Sequence, residues 1–260
     1  MAALVEDIST PYEFSALETE LECFASREAR ETLLQWNVDA TLRVQRFKCT
    51  GAFSASVASD YDRLLRDFFR DAAAMAHLEV SGTPSSGVVV ESQAVGTSVM
   101  SMEFFDRLES FDITSSTGGG GQIRGCFEEY FDGIQCGDKL REVLLNPDSE
   151  NASCFSESEK LELIYILFRL LVIGGSLCQP DDRLERYLNL TKGFYRDLLT
   201  VYKDDADNIQ VSGKVFKVNA VPGLCFFTHP DKELVNRLIV YVDPKRKSLV
   251  VVKNDYKPFW

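Results

Sequence analysis

From Leu161 to Ile173 the chain is apolar on nearly every side of a helical wheel, interrupted only by Glu162 and Arg169. A bilayer span needs about 20 such residues, so this stretch is too short to cross a membrane. A helix without a wet face must instead be enclosed by other elements, which makes this segment the centre of the fold. Its ends are marked: Ser156 and Glu159 form an S-x-x-E capping box, and Gly174-Gly175 is a natural stop. Together they predict a helix of about 18 residues.

Other segments supply the enclosure. Ser26, with Glu28 in the first turn, caps a helix whose apolar face is Ala29, Leu33 and Trp36. Leu42–Cys49 alternates as a strand, with Leu42, Val44 and Phe47 inward. Leu64, Leu65, Phe68 and Phe69 predict a helix over Ser59–Ala76. The 81–87 stretch is a loop, followed by strands at Val88–Val90 and Val95–Met102 and a short helix at Glu103–Glu109. Phe127, Tyr130, Phe131 and Ile134 suggest a short helix, as do Leu140, Val143 and Leu144. A further helix starts near Pro180, carrying Leu184, Tyr187, Leu188, Thr191, Phe194, Tyr195, Leu198 and Tyr202 on one stripe.

The last fifty residues change to period two. Ile209, Val211 and Val215 alternate before Phe216 and Val218 take over, which predicts a bulge near Val215. Leu238–Val242 and Leu249–Val252 are continuous apolar runs joined by a basic turn, Lys245-Arg246-Lys247. They read as a C-terminal β-hairpin. The expected class is α+β, with mixed helices packed on a largely antiparallel sheet. Residues 1–11 read as a flexible tail and 12–260 as a single domain, any sub-boundary falling in the 114–121 glycine loop.

Composition narrows the function. With 40 acidic against 28 basic residues, the net charge is -12. Nucleic-acid binding runs on phosphate neutralisation, so that balance argues against nucleic acid and against an anionic membrane surface. Met1–Thr10 carries Glu6 and Asp7 rather than a basic start and an apolar run, so it reads as no signal peptide. The seven cysteines have long, irregular spacings without a C-x-x-C pair, which fits reduced thiols better than zinc or a disulfide framework. The expectation is a soluble intracellular protein.

No catalytic motif emerges. The chain has two histidines and no G-x-S-x-G, so neither a hydrolase triad nor its elbow is available. Gly118–Gly121 is followed by Gln122 and Ile123 instead of the Lys-Ser/Thr of a phosphate loop. Asp204, Asp205, Asp207 and Asn208 lack calcium-loop spacing. Asn151-Ala152-Ser153 and Asn189-Leu190-Thr191 fit the glycosylation pattern, which has no meaning for an intracellular chain. One sharper set remains open: His77 and Glu79 with His229 could hold Fe(II), with Arg237 gripping an acidic co-substrate. The plainer alternative is a structural His77 at a helix C-terminus. The aromatic end, Tyr256, Phe259 and Trp260, either docks in a partner or folds back on its own sheet, the second being preferred. The basic turn Lys245, Arg246 and Lys247 is the candidate partner-binding site for an acidic client, its plainer alternative being a solvated turn.

Several stretches in order carry a resemblance. They are Leu34-Gln35-Trp36, Phe68-Phe69, Phe104-Phe105-Asp106-Arg107-Leu108 and Leu140-Arg141-Glu142-Val143-Leu144-Leu145. Then come Gly174-Gly175-Ser176-Leu177-Cys178-Gln179, Tyr195-Arg196-Asp197-Leu198, Val215-Phe216-Lys217-Val218 and Val242-Asp243-Pro244. Over residues 20–252 the chain resembles the cilia- and flagella-associated protein 300 family, most specifically in the Gly-Gly-Ser-Leu-Cys-Gln stretch. The resemblance implies a non-enzymatic factor without a cofactor, found in cytoplasm and cilium, that promotes assembly and delivery of outer and inner axonemal dynein arms. Its implied partners are other dynein-arm assembly factors, axonemal dynein subunits and the intraflagellar transport machinery. An iron-dependent oxygenase and a stable structural part of the axoneme are the alternatives.

Overall fold

The computed structural model describes residues 11–18, 21–51, 53, 58–85, 87–115 and 121–259. Residues 1–10 of the expected 1–11 tail, the middle of the glycine loop (116–120) and Trp260 lie outside them.

The frame is a six-stranded antiparallel sheet. Its strands are β1 (Glu13–Leu17), β2 (Leu42–Thr50), β3 (Glu91–Val95), β4 (Lys214–Ala220), β5 (Arg237–Asp243) and β6 (Ser248–Asn254), in the order β1-β2-β6-β5-β4-β3. The hairpin β5–β6 forms as expected and lies in the middle of the sheet. All but the first residue of each of its strands is buried, the reason these strands read as continuous apolar runs rather than alternating ones.

Helices cover both faces. On one, Ile239, Tyr241, Val250, Val252 and Val215 meet α5 (Leu163–Ile173), every one of whose eleven residues is buried. α1 (Arg27–Gln35), α4 (Lys139–Leu145) and α6 (Leu184–Leu198) close around α5. On the other face, Leu238, Val240, Val242, Leu249 and Val251 meet α2 (Ala58–Arg70) and α3 (Ala72–His77). Phe68 of α2 packs edge-on to Phe14 of β1 and Phe47 of β2, both at 5.1 Å between ring centres. β2 serves both layers: Leu42 and Val44 turn to the α5 side, while Phe47 and Cys49 turn to α2. The chain is therefore α+β.

Several expectations are corrected. The helix expected over Ser59–Ala76 is two, because Asp71 leaves the helical conformation and its carboxylate accepts from Ala74 N at 2.9 Å, capping α3. The capping box is present, with Ser156 N donating to Glu159 and Glu159 N to Ser156 Oγ at 3.3 Å. It opens only a 3-10 turn, and α5 begins after Glu162, so the helix is shorter than expected. α6 starts at Leu184, not at Pro180. The strands expected at Val88–Val90 and Val95–Met102 are replaced by β3, an edge strand that pairs through its backbone and exposes its first four side chains. Ser81–Gly82, read as loop, pairs with Leu224–Cys225, and Thr114–Ser115 pairs with Gln122–Ile123. The bulge near Val215 is instead a turn at Ser212-Gly213, and the irregular register falls at Val218–Ala220. The helix expected over Phe127–Ile134 is a hairpin, Gly125–Phe131 with Ile134–Asp138. Asp132 and Gly133 join its strands, both at positive φ (52° and 80°), as a tight hairpin turn requires.

Burial also fixes the alkaline limit of stability. Tyr165, Tyr187 and Tyr241 are pushed from the ordinary 10.0 up to about 12, burial being the largest cause for each. The folded chain thus keeps protons that the unfolded chain releases near pH 10. This contribution is fully present below that value and is lost as pH rises through about 12. Far-UV circular dichroism and the ionisation of these three tyrosines, read as the absorbance lost in their Tyr→Phe variants, should change in one step across that window. Ionisation of Tyr165, Tyr187 or Tyr241 near pH 10 in the fully folded chain would contradict it.

Candidate functional site

A concavity of about 840 Å³ opens where α5 ends. Its floor comes from the loop Gly174–Gln179. Gly174 ends α5 at φ 66°, a conformation that favours glycine. Gly175 is needed for another reason: a Cβ there would lie 2.2 Å from the Asn37 carbonyl oxygen. Without it the loop lies flat on the end of α1, with Gly175 N donating to Trp36 O at 2.9 Å and Gln179 N to Gln35 O at 2.9 Å. Trp36 is itself fixed, stacked on Tyr187 at 4.3 Å and donating from Nε1 to Asp181 at 2.7 Å. The loop so held projects Leu177, which is 54% exposed.

One wall is the hairpin turn at Asp132-Gly133, tied down by Lys232 Nζ at 2.9 Å from Asp132. The other is the C-terminal segment. Tyr256 is buried, its backbone N–H donating to Asn236 Oδ1 at 3.0 Å, whereas Phe259 is 62% exposed. Tyr256 thus packs back on the chain, against Ile134, Cys136, Ile173 and Val235 rather than on the sheet as expected, and Phe259 stays at the rim. Tyr130 stands exposed on the hairpin beside it. Under the floor, Arg141 donates to Asp138 at 2.8 Å, to Val172 O at 2.5 Å and to Cys178 Sγ at 3.2 Å. Burial opposes its charge, but Tyr187, Cys178 and Asp138 outweigh that and its pKa is raised. Burial, against the pull of Arg141, pushes the Cys178 thiol up, so Cys178 carries its proton and is no nucleophile. Five aspartates (132, 138, 181, 182 and 231) line the groove against two cations, Arg141 and Lys232. The site is therefore acidic, rimmed by exposed apolar side chains.

The sequence-derived candidates lie elsewhere. Lys245, Arg246 and Lys247 are all exposed on the β5–β6 turn. Asp243 shapes that turn by accepting from Lys245 N and Arg246 N, at 3.0 and 3.1 Å. Lys245 Nζ lies 3.3 Å from the ring centre of Tyr202, a cation–π contact, and Lys247 O accepts from Cys49 N. The iron set is not assembled: among the described residues no group of three or more His, Cys, Asp or Glu side chains is placed to hold a metal ion. His77 instead meets the Phe47 ring at 6.3 Å, the Glu79 carbonyl accepts from Lys253, and His229 lines the groove. All seven cysteines are free thiols. No described helix is long and apolar enough to cross a membrane. Sequence reasoning missed the groove because it took the hairpin for a helix, although Asp132-Gly133 between aromatic residues was the available signal.

The chain is thus an α+β protein whose six-stranded antiparallel sheet is enclosed between helices, with an acidic groove at the end of its central helix. The family model for cilia- and flagella-associated protein 300 matches residues 11–254, and the chain belongs to that family. Cilia- and flagella-associated protein 300 of Chlamydomonas reinhardtii is 30% identical over 245 residues, covering 89% of this chain and 92% of the relative. The Paramecium tetraurelia protein of the same name is 26% identical over 254 residues, 96% of each chain. No solved structure matches significantly.

Two substitutions separate the floor's structure from its surface. Gly175→Ala should cost about 2–3 kcal/mol, because backbone rather than a flexible side chain blocks the new Cβ. Leu177→Asp should change stability by less than about 0.5 kcal/mol. Urea unfolding of both variants checks the pair, and equal losses would mean that Leu177 belongs to the core.

Proposed function

We propose that this chain is a non-enzymatic factor that binds other proteins, in cytoplasm and cilium, to promote assembly and delivery of outer and inner axonemal dynein arms. The observation that carries this is the family match across nearly the whole described chain, with relatives named as cilia- and flagella-associated proteins. The dynein-arm role is what the family resemblance implies. Its partners are then dynein-arm assembly factors and dynein subunits, with intraflagellar transport for delivery.

The groove is the favoured docking surface. Its acidic excess and exposed Leu177 and Phe259 complement a partner segment with Lys or Arg beside an aliphatic or aromatic anchor. The basic turn Lys245-Arg246-Lys247 suits an acidic partner and forms a second, separate surface.

The test is rescue in ciliated cells that lack the protein. Tagged wild type should restore dynein arms and co-purify with dynein chains from cytoplasm. Leu177→Asp should fold normally yet capture less of these partners, and Lys245→Glu with Arg246→Glu should report on the turn. Normal arms in cells without the protein would refute the assembly role. Retention on doublet microtubules after salt extraction would make it a structural part of the axoneme.

A further inference from the structure

Three cations from distant parts of the chain converge where the second half of α5 crosses the sheet. Arg169 is the one charged residue of α5 and is 8% exposed. Arg237 opens β5 on the face that also carries Ile239 and Tyr241, toward α5. Lys217 of β4 shares that face with Val215. Arg169 Nη1 and Arg237 Nη2 donate to the same carbonyl, Leu234 O, at 2.7 and 3.1 Å. The two guanidinium groups are therefore no farther apart than one shared acceptor allows.

Every acceptor they use is neutral. Arg169 Nε donates to Leu144 O at 3.1 Å, and Arg237 Nη1 to Glu233 O and Asn236 O at 2.7 and 2.6 Å. Among the described residues no carboxylate forms an ion pair with Arg169, Arg237 or Lys217. Only Glu233 acts on Lys217 with a favourable field. For the two arginines that role falls to Tyr165, whose hydroxyl burial keeps protonated up to about 12. Carbonyl dipoles solvate a guanidinium but do not cancel its charge, and buried charges in proteins are otherwise paired. Although Arg237 is only half-buried, desolvation and then the charge of Arg169 lower its affinity for the proton.

Between these side chains lies a small cavity lined by Ile166, Arg169, Ile173, Val235, Arg237 and Asn254, with room for about one water-sized occupant. Arg169 Nη2 has no hydrogen-bond partner among the described residues. We propose that this cavity is a binding site for a small monovalent inorganic anion of the size of chloride, held by Arg169 and Arg237 and favoured by Lys217. Sulfate and phosphate are too large for a space of one water. Bound there, the anion neutralises the cluster and ties α5 to the segment that leads to Tyr256. Ile173 lines both this cavity and the acidic groove, so occupancy stiffens the back of the groove.

The test uses the purified full chain. Thermal unfolding is followed at constant ionic strength as sodium gluconate is replaced by sodium chloride. The midpoint should rise with chloride and saturate, as binding to the folded state alone requires. Arg237→Gln should raise the half-saturating chloride concentration by at least about tenfold. Should that variant not fold, Lys217→Gln should shift it in the same direction. In crystals grown in sodium bromide, the anomalous signal should fall between Arg169 and Arg237. Identical midpoints in chloride and gluconate, or a bromide peak anywhere but this cavity, would overturn the proposal and leave the carbonyls as the whole answer to the buried charge.

Discussion

Everything in this fold follows from having to enclose a helix that offers no face to water. α5 buries all eleven of its residues, so it needs a partner in every direction. The sheet supplies one side through Ile239, Tyr241, Val250 and Val252. α6 supplies another, and Phe105 closes a third, 4.2 Å from Phe168. Each large apolar side chain so buried contributes about 1.5–3 kcal/mol. The sheet that covers α5 is itself apolar on its far side, which obliges α2 and α3 to cover that face in turn. The layered order of helix, sheet and helix is thus set by two segments that cannot face solvent, α5 and the hairpin β5–β6.

That same hairpin separates two surfaces of opposite sign. Its turn end carries Lys245, Arg246 and Lys247, and its open end runs on through Asp255 and Tyr256 into the acidic groove. Strands of seven residues place these ends about 20 Å apart. That is about 2.5 Debye lengths at physiological salt, so the charges of one end are largely screened from the other. Because the strands are buried on both faces, the distance between the two surfaces is fixed.

How much of this was legible depended on whether a signal was local. Ser26 as a cap, the stop at Gly174-Gly175 and the basic turn of β5–β6 are decided by neighbours in sequence, and each was read from residues alone. The boundary errors arose where tertiary contact overruled a local cue. The Ser156–Glu159 box is satisfied in its own hydrogen bonds, yet Gly96 pairs with Glu162 and holds the chain extended there, so α5 starts later. β3 reads as polar because only its backbone is needed at a sheet edge. Phe127 and Tyr130 suggested a helix face, but they are exposed side chains of a hairpin, and aromatic residues also favour strands. The meeting of Arg169 with Arg237 has no sequence signature, since only folding brings the two together.

The floor and the walls of the groove are fixed in different ways. The floor is fixed by sterics: no side chain larger than hydrogen fits at Gly175, and Trp36 beneath it is fully buried and stacked. The walls rest on buried Ile134, Cys136 and Tyr256 and are finished by polar contacts at the water boundary. Lys232 holds the hairpin turn through Asp132, and Thr228 holds the C-terminal segment through Asp255 at 2.8 Å. Exposed contacts of this kind exchange readily with water and are weakened by salt, whereas a packed glycine contact responds to neither. A segment docked there, as proposed above, would meet a sterically fixed base below Leu177 and, at the rims, ion pairs that salt weakens.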